Sequence, residues 1–196
     1  MTRRMARFTR MAPDSHRSGT REGSPMDAGL PQRAALRSAF SAFATGITVL
    51  TVGGDTPRGM TANSFTSVSL DPPLVLACID RGATMHGTLL AARFFGVSVL
   101  AARQEAIARH FADRRRPSGA AQFDTVPWWS GEYTGAPLIH GAVAWFECTV
   151  WRTYDGGDHT VVVGSLLSAV RAADADTAGV LIFHNGRFQP MTERAA

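Results

Sequence analysis

The chain has 196 residues, of which 45% are hydrophobic and 18% charged, the balance of one folded domain with a core of its own. Its formal charge is +4 and all twenty basic residues are arginine, which excludes chemistry that needs a lysine amine, Schiff bases and the usual attachment of pyridoxal phosphate among them. The segment Met1–Ser24 alone carries +4, so the rest is neutral and the basic balance is no argument for a nucleic-acid surface on the folded part.

Residues 1–26 hold six arginines among Ser, Gly and Pro without an apolar stripe, and read as a disordered basic extension rather than a targeting helix. Order is expected from about Asp27. Pro31 suits a first helical position, and Leu36, Phe40 and Phe43 recur at helical spacing until Thr45-Gly46. The period then changes from helical to alternating. "ITVLTV" is β-branched and apolar, Gly53–Pro57 is turn chemistry, and "RGMTANS" returns as the second arm of a hairpin.

The stretch that follows combines Thr61, Asn63, Ser64, Thr66, Ser67 and Ser69 with the apolar run Pro73–Ile79, which has strand length. Short hydroxyls and main-chain amides in an irregular segment beside a strand could serve as neutral donors to a polar-edged ring, or could simply be a solvated strand face. Ala83–Ala92 reads as a short helix, Phe94–Leu100 as a strand, and Arg103–Ala112 as a helix with Ile107 and Phe111 on one face. Between Asp113 and Pro137 the composition shifts to Arg, Pro, Gly and Ser with Trp128 and Trp129, the signature of a long loop. Ala142–Tyr154 and His159–Ala172 flank Asp155–Asp158 as a long hairpin, and Asn185-Gly186 is the turn of a final one.

About seven strands with short connections imply a mainly β, antiparallel fold, and closure into a barrel is the expected answer to its exposed edges. No apolar run approaches the roughly eighteen residues of a membrane span. Cys78 and Cys148 sit in apolar runs, as reduced core residues of a cytoplasmic protein do. Six scattered histidines show no metal-ligand spacing, so no metal site is expected, and neither a Walker loop nor a dinucleotide fingerprint is present.

In order, "FATGITVLT", "GMTANSFTSVSLDPPLVLACID", "VSVLAARQ", "HFA", "GAPLIHGAVAWFEC" and "GDHTVVVG" resemble the flavin reductase family over about Phe40–Phe188. The resemblance implies a six-stranded antiparallel split β-barrel over residues 27–196 with a few flanking helices, forming a homodimer. It implies an NAD(P)H:flavin oxidoreductase that passes hydride from NADH or NADPH to FMN or FAD and supplies a flavin-dependent monooxygenase. A flavin-binding electron carrier without nicotinamide turnover is the alternative.

By the same resemblance, Thr61, Ala62, Asn63, Ser64 and Phe65 would run along the flavin ring and ribityl chain, with Ser67, Val68 and Ser69 at the ring's polar edge. Cys78 and Asp80 would end the strand beneath it, and the "HFA" match adds Phe111. Phosphate would sit at the start of the helix after Asp80, with Thr84 as hydroxyl donor and Arg81 as cation, although Ala83 stands where the family often has a serine. "GDH" places His159 against the nicotinamide or the flavin edge, a ring whose charge is tunable near neutrality. A histidine that only caps the strand is the other reading.

Overall fold

The computed structural model describes residues 32–192. The expected basic extension, the onset of order near Asp27 and the role of Pro31 lie outside the described residues. In chain order the elements begin with α1 (Arg33–Ser41), β1 (Thr45–Gly46), β2 (Thr48–Val52), β3 (Arg58–Ala62), β4 (Thr66–Leu70) and β5 (Pro73–Asp80). There follow α2 (Thr84–Ala91), β6 (Phe94–Val99), α3 (Glu105–Ala112), β7 (Trp128–Ser130) and β8 (Pro137–Ile139). The last are β9 (Ala144–Gly156), β10 (His159–Arg171), α4 (Ala175–Ala178), β11 (Val180–His184) and β12 (Arg187–Met191).

Seven strands form the main sheet, in the order β3-β2-β6-β9-β10-β5-β4, with every neighbouring pair antiparallel. The order itself forces curvature. The edge strands β3 and β4 are consecutive in the chain, joined only by Asn63, Ser64 and Phe65. Laid flat, seven strands would hold their edges about 29 Å apart, whereas the link from Ala62 to Thr66 reaches about 15 Å at full extension. The sheet therefore curls until its edges approach. No β3–β4 rungs close it, so the expected six-stranded closed barrel is corrected to an open, strongly curled seven-stranded sheet. The added strand is β4: Thr66–Leu70, expected as an irregular cradle, pairs with β5 as an edge strand, with a bulge between Ser67 and Ser69 at Val68.

Ser64 explains how the link stays attached where pairing stops. Its hydroxyl donates to the Cys78 carbonyl at 2.9 Å and accepts from the Cys78 amide at 3.1 Å, so a side chain supplies the next rung beyond Thr66 and Leu76. Such a rung satisfies both main-chain groups of Cys78 where no strand lies alongside.

β2 is buried along its whole length and alternates between two cores. Leu50 and Val52 face the interior of the curl with Val75, Ile79, Met85, Leu89 and Phe95, while Val49 joins Leu100, Phe111, Phe123, Ile139 and Leu181 on the other side. α2 contributes Met85 and Leu89 to the first core, one helical turn apart. α3 lays Ala108 and Phe111 on the second, with Ile107 at its margin. A smaller sheet, β1-β11-β12, flanks this second core. Asn185 and Gly186 both have positive φ, 49° and 74°, as their two-residue hairpin turn requires.

The long segment from Asp113 to Pro137 is more regular than its composition suggests. It contains a 3-10 turn over Gly119–Phe123 and, with Pro137–Ile139, the small β7–β8 pair. Gln122 pins it: the side chain is buried, accepts from the Gly59 amide at 2.8 Å and donates to the Pro57 and Gly119 carbonyls.

Candidate active site

The β5–α2 corner, the end of β3 and the segment after α3 enclose a cavity of about 270 Å³. Thr61, Asp80, Thr84 and Phe111, four of the positions that the sequence argument assigned to the cofactor, line it. Thr61 donates its hydroxyl to the Ala108 carbonyl at 2.7 Å, which ties β3 to α3 and leaves only oxygen lone pairs facing the cavity. Asp80 closes the strand by accepting from the Gly82 amide at 2.7 Å, a short turn that starts α2. Phe111 is fully buried and forms a wall of the cavity rather than an exposed stacking surface. Gly59 makes that position possible, because a Cβ there would meet the Phe111 ring at 2.5 Å.

Arg81 is placed differently from the expectation. Its side chain turns to the β9–β10 turn, where Nε donates to the His159 carbonyl at 3.3 Å and the guanidinium pairs with Asp155 at 3.0 Å. Its amide also donates to the Asp158 carbonyl. The physical reason is register: His159 lies directly opposite Asp80 across the β5–β10 pair, so the residue after Asp80 meets the turn rather than the cavity. Three other arginines line the cavity, Arg58, Arg114 and Arg116. Sequence reasoning passed over them, although "DRRRPS" was a visible cationic run directly after the "HFA" match.

The remaining expected residues divide by location. Asn63 is exposed and borders a separate hollow with Thr45, Phe183 and Asn185. Ala62 is buried in the first core, and Phe65 packs there against Phe146 with ring centroids 5.3 Å apart. Ser64 and Cys78 are engaged with each other, as described above. Ser67 and Val68 are exposed on the edge strand, and the Ser69 hydroxyl accepts from the Asp71 amide. The side chains of Ala62, Ser64 and Phe65 are thus engaged by the scaffold, while those of Asn63, Ser67 and Val68 are exposed.

His159 opens β10, half-buried, with Nδ1 2.7 Å from Asp158 Oδ1. The hydrogen bond from His159, and then its charge, hold the Asp158 carboxyl below the usual carboxylate range. Two glycines shape this corner. Gly157 takes φ of 77° in the turn, and Gly164, deeper in β10, leaves room for the Phe95 ring. Behind the strand, His86 of α2 meets the Thr160 hydroxyl at 2.8 Å, which fixes the helix that carries Thr84 against the strand that carries His159.

Residues 40–192 match the family model for the flavin reductase like domain, and the chain belongs to that family. It is 56% identical over 157 residues to the NADH-dependent FAD reductase of Streptomyces globisporus, a match that covers 80% of this chain and 85% of that protein. Among solved structures, the NADH:FAD oxidoreductase SgcE6 of the same organism, in complex with NAD and FAD fragments, superposes with a TM-score of 0.77 at 50% identity. That match covers 90% of this chain and all of the other. The flavin reductase component of a bacterial two-component tryptophan halogenase gives a TM-score of 0.78 at 55% identity, covering 83% of this chain and 100% of that one.

Proposed function

We propose that the chain is an NADH-dependent flavin reductase that accepts FAD or FMN and supplies reduced flavin to a separate flavin-dependent oxygenase. The observation that carries this reading is the 56% identity, along 85% of its length, to a protein named for NADH-dependent FAD reduction. The reaction moves a hydride, two electrons and one proton, from the dihydronicotinamide to the flavin, leaving an oxidised nicotinamide. That chemistry belongs to the two small molecules, and the flavin ring supplies the electron-accepting site when bound.

The chain's own residues hold and orient. Arginines and the amino end of α2 at the cavity suit a phosphorylated ligand by charge and by free amides, so the residues present fit a flavin nucleotide. The buried Arg116 Nε, which has no hydrogen-bond partner among the described residues, fits the same conclusion. His159, steadied by Asp158 and opposite the cavity residue Asp80 across the β5–β10 pair, is the side chain assigned in this reading to donate a hydrogen bond to the nicotinamide or the flavin edge. Bringing two planar rings into reacting contact accounts for much of the rate in such a transfer.

A second copy of the chain completes the assembly in this reading. α1 buries none of its residues, and Phe40 and Phe43 are exposed beside the hollow that Asn63 borders. Trp151 and Tyr154 on β9 are also exposed, and an apolar groove lined by Val143, Phe146, Val180 and Met191 adds to the uncovered surface. A homodimer would bury such patches. Two free cysteines suit a cytoplasmic setting.

The deciding experiment mixes the full chain anaerobically with NADH or NADPH and each flavin while nicotinamide absorbance is followed. Rapid oxidation of NADH with FAD is the expected result. Flavin binding without nicotinamide oxidation would instead assign the chain to flavin carriage.

A further inference from the structure

The β7–β8 hairpin and the strands β9 and β10 enclose a second cavity, of about 360 Å³. It shares no residue with the arginine-lined cavity. Ser168, which lines it, lies nine residues further along β10 than His159, about 30 Å of strand. Glu147 stands opposite Ser168 in the β9–β10 pair and lines the same space.

Glu147 is only 5% exposed, and its two carboxylate oxygens are treated unequally. Oε2 accepts from the Tyr133 and Thr134 amides, both at 2.9 Å, and from the Thr134 hydroxyl at 2.8 Å. Gly131 leaves room for this grip, because a Cβ there would meet the same carboxylate. Oε1 has no hydrogen-bond partner among the described residues, and it is not sealed inside the protein, so it opens to the cavity. No arginine or histidine lines the cavity, and Glu132 brings it a second carboxylate. Neither glutamate belongs to an ion pair among the described residues. A buried carboxylate with one oxygen unmet is costly unless a cation or a donor joins it.

The remaining wall is aromatic. Trp145 is fixed by donating Nε1–H to the Ile139 carbonyl at 2.8 Å. Trp129 meets it at 63° with ring centroids 5.0 Å apart, and is braced from elsewhere by His140 at 4.6 Å. Tyr133, on the turn that grips Oε2, adds a third ring, and Leu138 adds an aliphatic surface. Aromatic faces attract cations through their quadrupole, and they also bury an apolar body.

We propose that this cavity binds a protonated amine with a small aromatic or aliphatic body, at a site separate from the flavin and the nicotinamide. The ammonium donates to Glu147 Oε1, and the body lies against Trp129, Trp145 and Leu138. An anion is excluded by the two carboxylates. The site goes beyond the reductase reading and does not depend on it.

Isothermal titration of the full chain with phenethylammonium near neutral pH tests the site. Two ligands of similar body serve as comparisons: 2-phenylethanol, which is neutral, and 3-phenylpropanoate, which is an anion. The cation should bind with a Kd of about 1 mM or tighter, and the other two at least about tenfold more weakly. Saturating FAD should leave the amine's affinity within about twofold, since the cavities are distinct. No binding of the amine, equal binding of the three ligands, or displacement by FAD would overturn the proposal.

Glu147→Gln removes the charge and keeps the shape. Its amide oxygen can take over the three donors on Oε2, which places the NH2 where Oε1 stood, a donor in place of an acceptor. Amine affinity should fall about tenfold or more, while a thermal melt reports whether the turn is retained. Tyr133→Leu leaves the main-chain amide on Oε2 and is the second variant. It should reduce the preference for the amine over the alcohol about threefold. Undiminished amine binding by folded Glu147→Gln, or an unchanged preference in Tyr133→Leu, would refute the assignment.

Discussion

Ser64→Ala distinguishes a residue that holds the fold from one that touches ligand. The hydroxyl makes two hydrogen bonds to the main chain of Cys78, at 2.9 and 3.1 Å, and nothing else in the Asn63–Phe65 link ties it to β5 by a side-chain hydrogen bond. Each such bond contributes about 1 kcal/mol net, and a half-buried Cys78 regains some water when they are lost, so the cost is about 2 kcal/mol. For a domain of this size that corresponds to a fall of about 4–8 °C in melting temperature. The measurement is thermal unfolding of flavin-free protein, because bound ligand would add its own stabilisation. Flavin affinity is then read by fluorescence quenching well below both melting temperatures, where a change of less than about threefold is expected for a lost scaffold contact. An unchanged melting temperature together with a tenfold weaker flavin affinity would refute the reasoning, since it would place the hydroxyl on the ligand.

His159→Ala should lower kcat for NADH oxidation by about tenfold or more while flavin affinity stays within about twofold, because His159 lies opposite Asp80 in the β5–β10 pair and does not line the arginine-lined cavity. Stopped-flow reduction of bound flavin reads this directly, and an unaltered reduction rate would remove the residue from the reaction. Gly59→Ala should cost about 1–3 kcal/mol by forcing the buried Phe111 ring out of place, and should weaken flavin binding as the ring moves into the cavity; the denaturation midpoint and a flavin titration check both. Burial, with a smaller push from Glu147, raises the Cys148 thiol to about 12 from 9.0. Its contribution to stability is therefore complete below about pH 9 and is lost as pH rises toward about 12, where the unfolded thiol ionises and the folded one does not. A thiol reagent at pH 8 should accordingly leave Cys148 unmodified in the folded chain and label it after unfolding; labelling of native protein at the rate of the unfolded chain would contradict the burial.

Much of the local structure is legible from residue types because its causes are local. Asn185 and Gly186 tolerate the positive φ that their turn demands, Met85 and Leu89 mark one face of a helix, and the β-branched run ending at Val52 favours a strand whatever surrounds it. The ordered motifs over Phe40–Phe188 likewise carry the family, and with it the reaction. Among the strands not expected, β4 is rich in Ser and Thr with a bulge at Val68, a pattern that composition alone cannot tell from a loop.

What the tertiary structure alone decided is which side chains meet. Arg58, Thr84 and Arg116 share one cavity although tens of residues separate them in the chain, because the curl of the sheet brings β3 back beside the β5–α2 corner and α3 delivers the arginine run to the same place. The family resemblance implies ligand roles for Arg81 and Ser64, and only the pairing register shows that the side chain of the first turns toward His159 and the hydroxyl of the second bonds the main chain of Cys78. Local propensity sets backbone conformation over a few residues. Strand order and register arise from packing over the whole chain, and they determine where each side chain points.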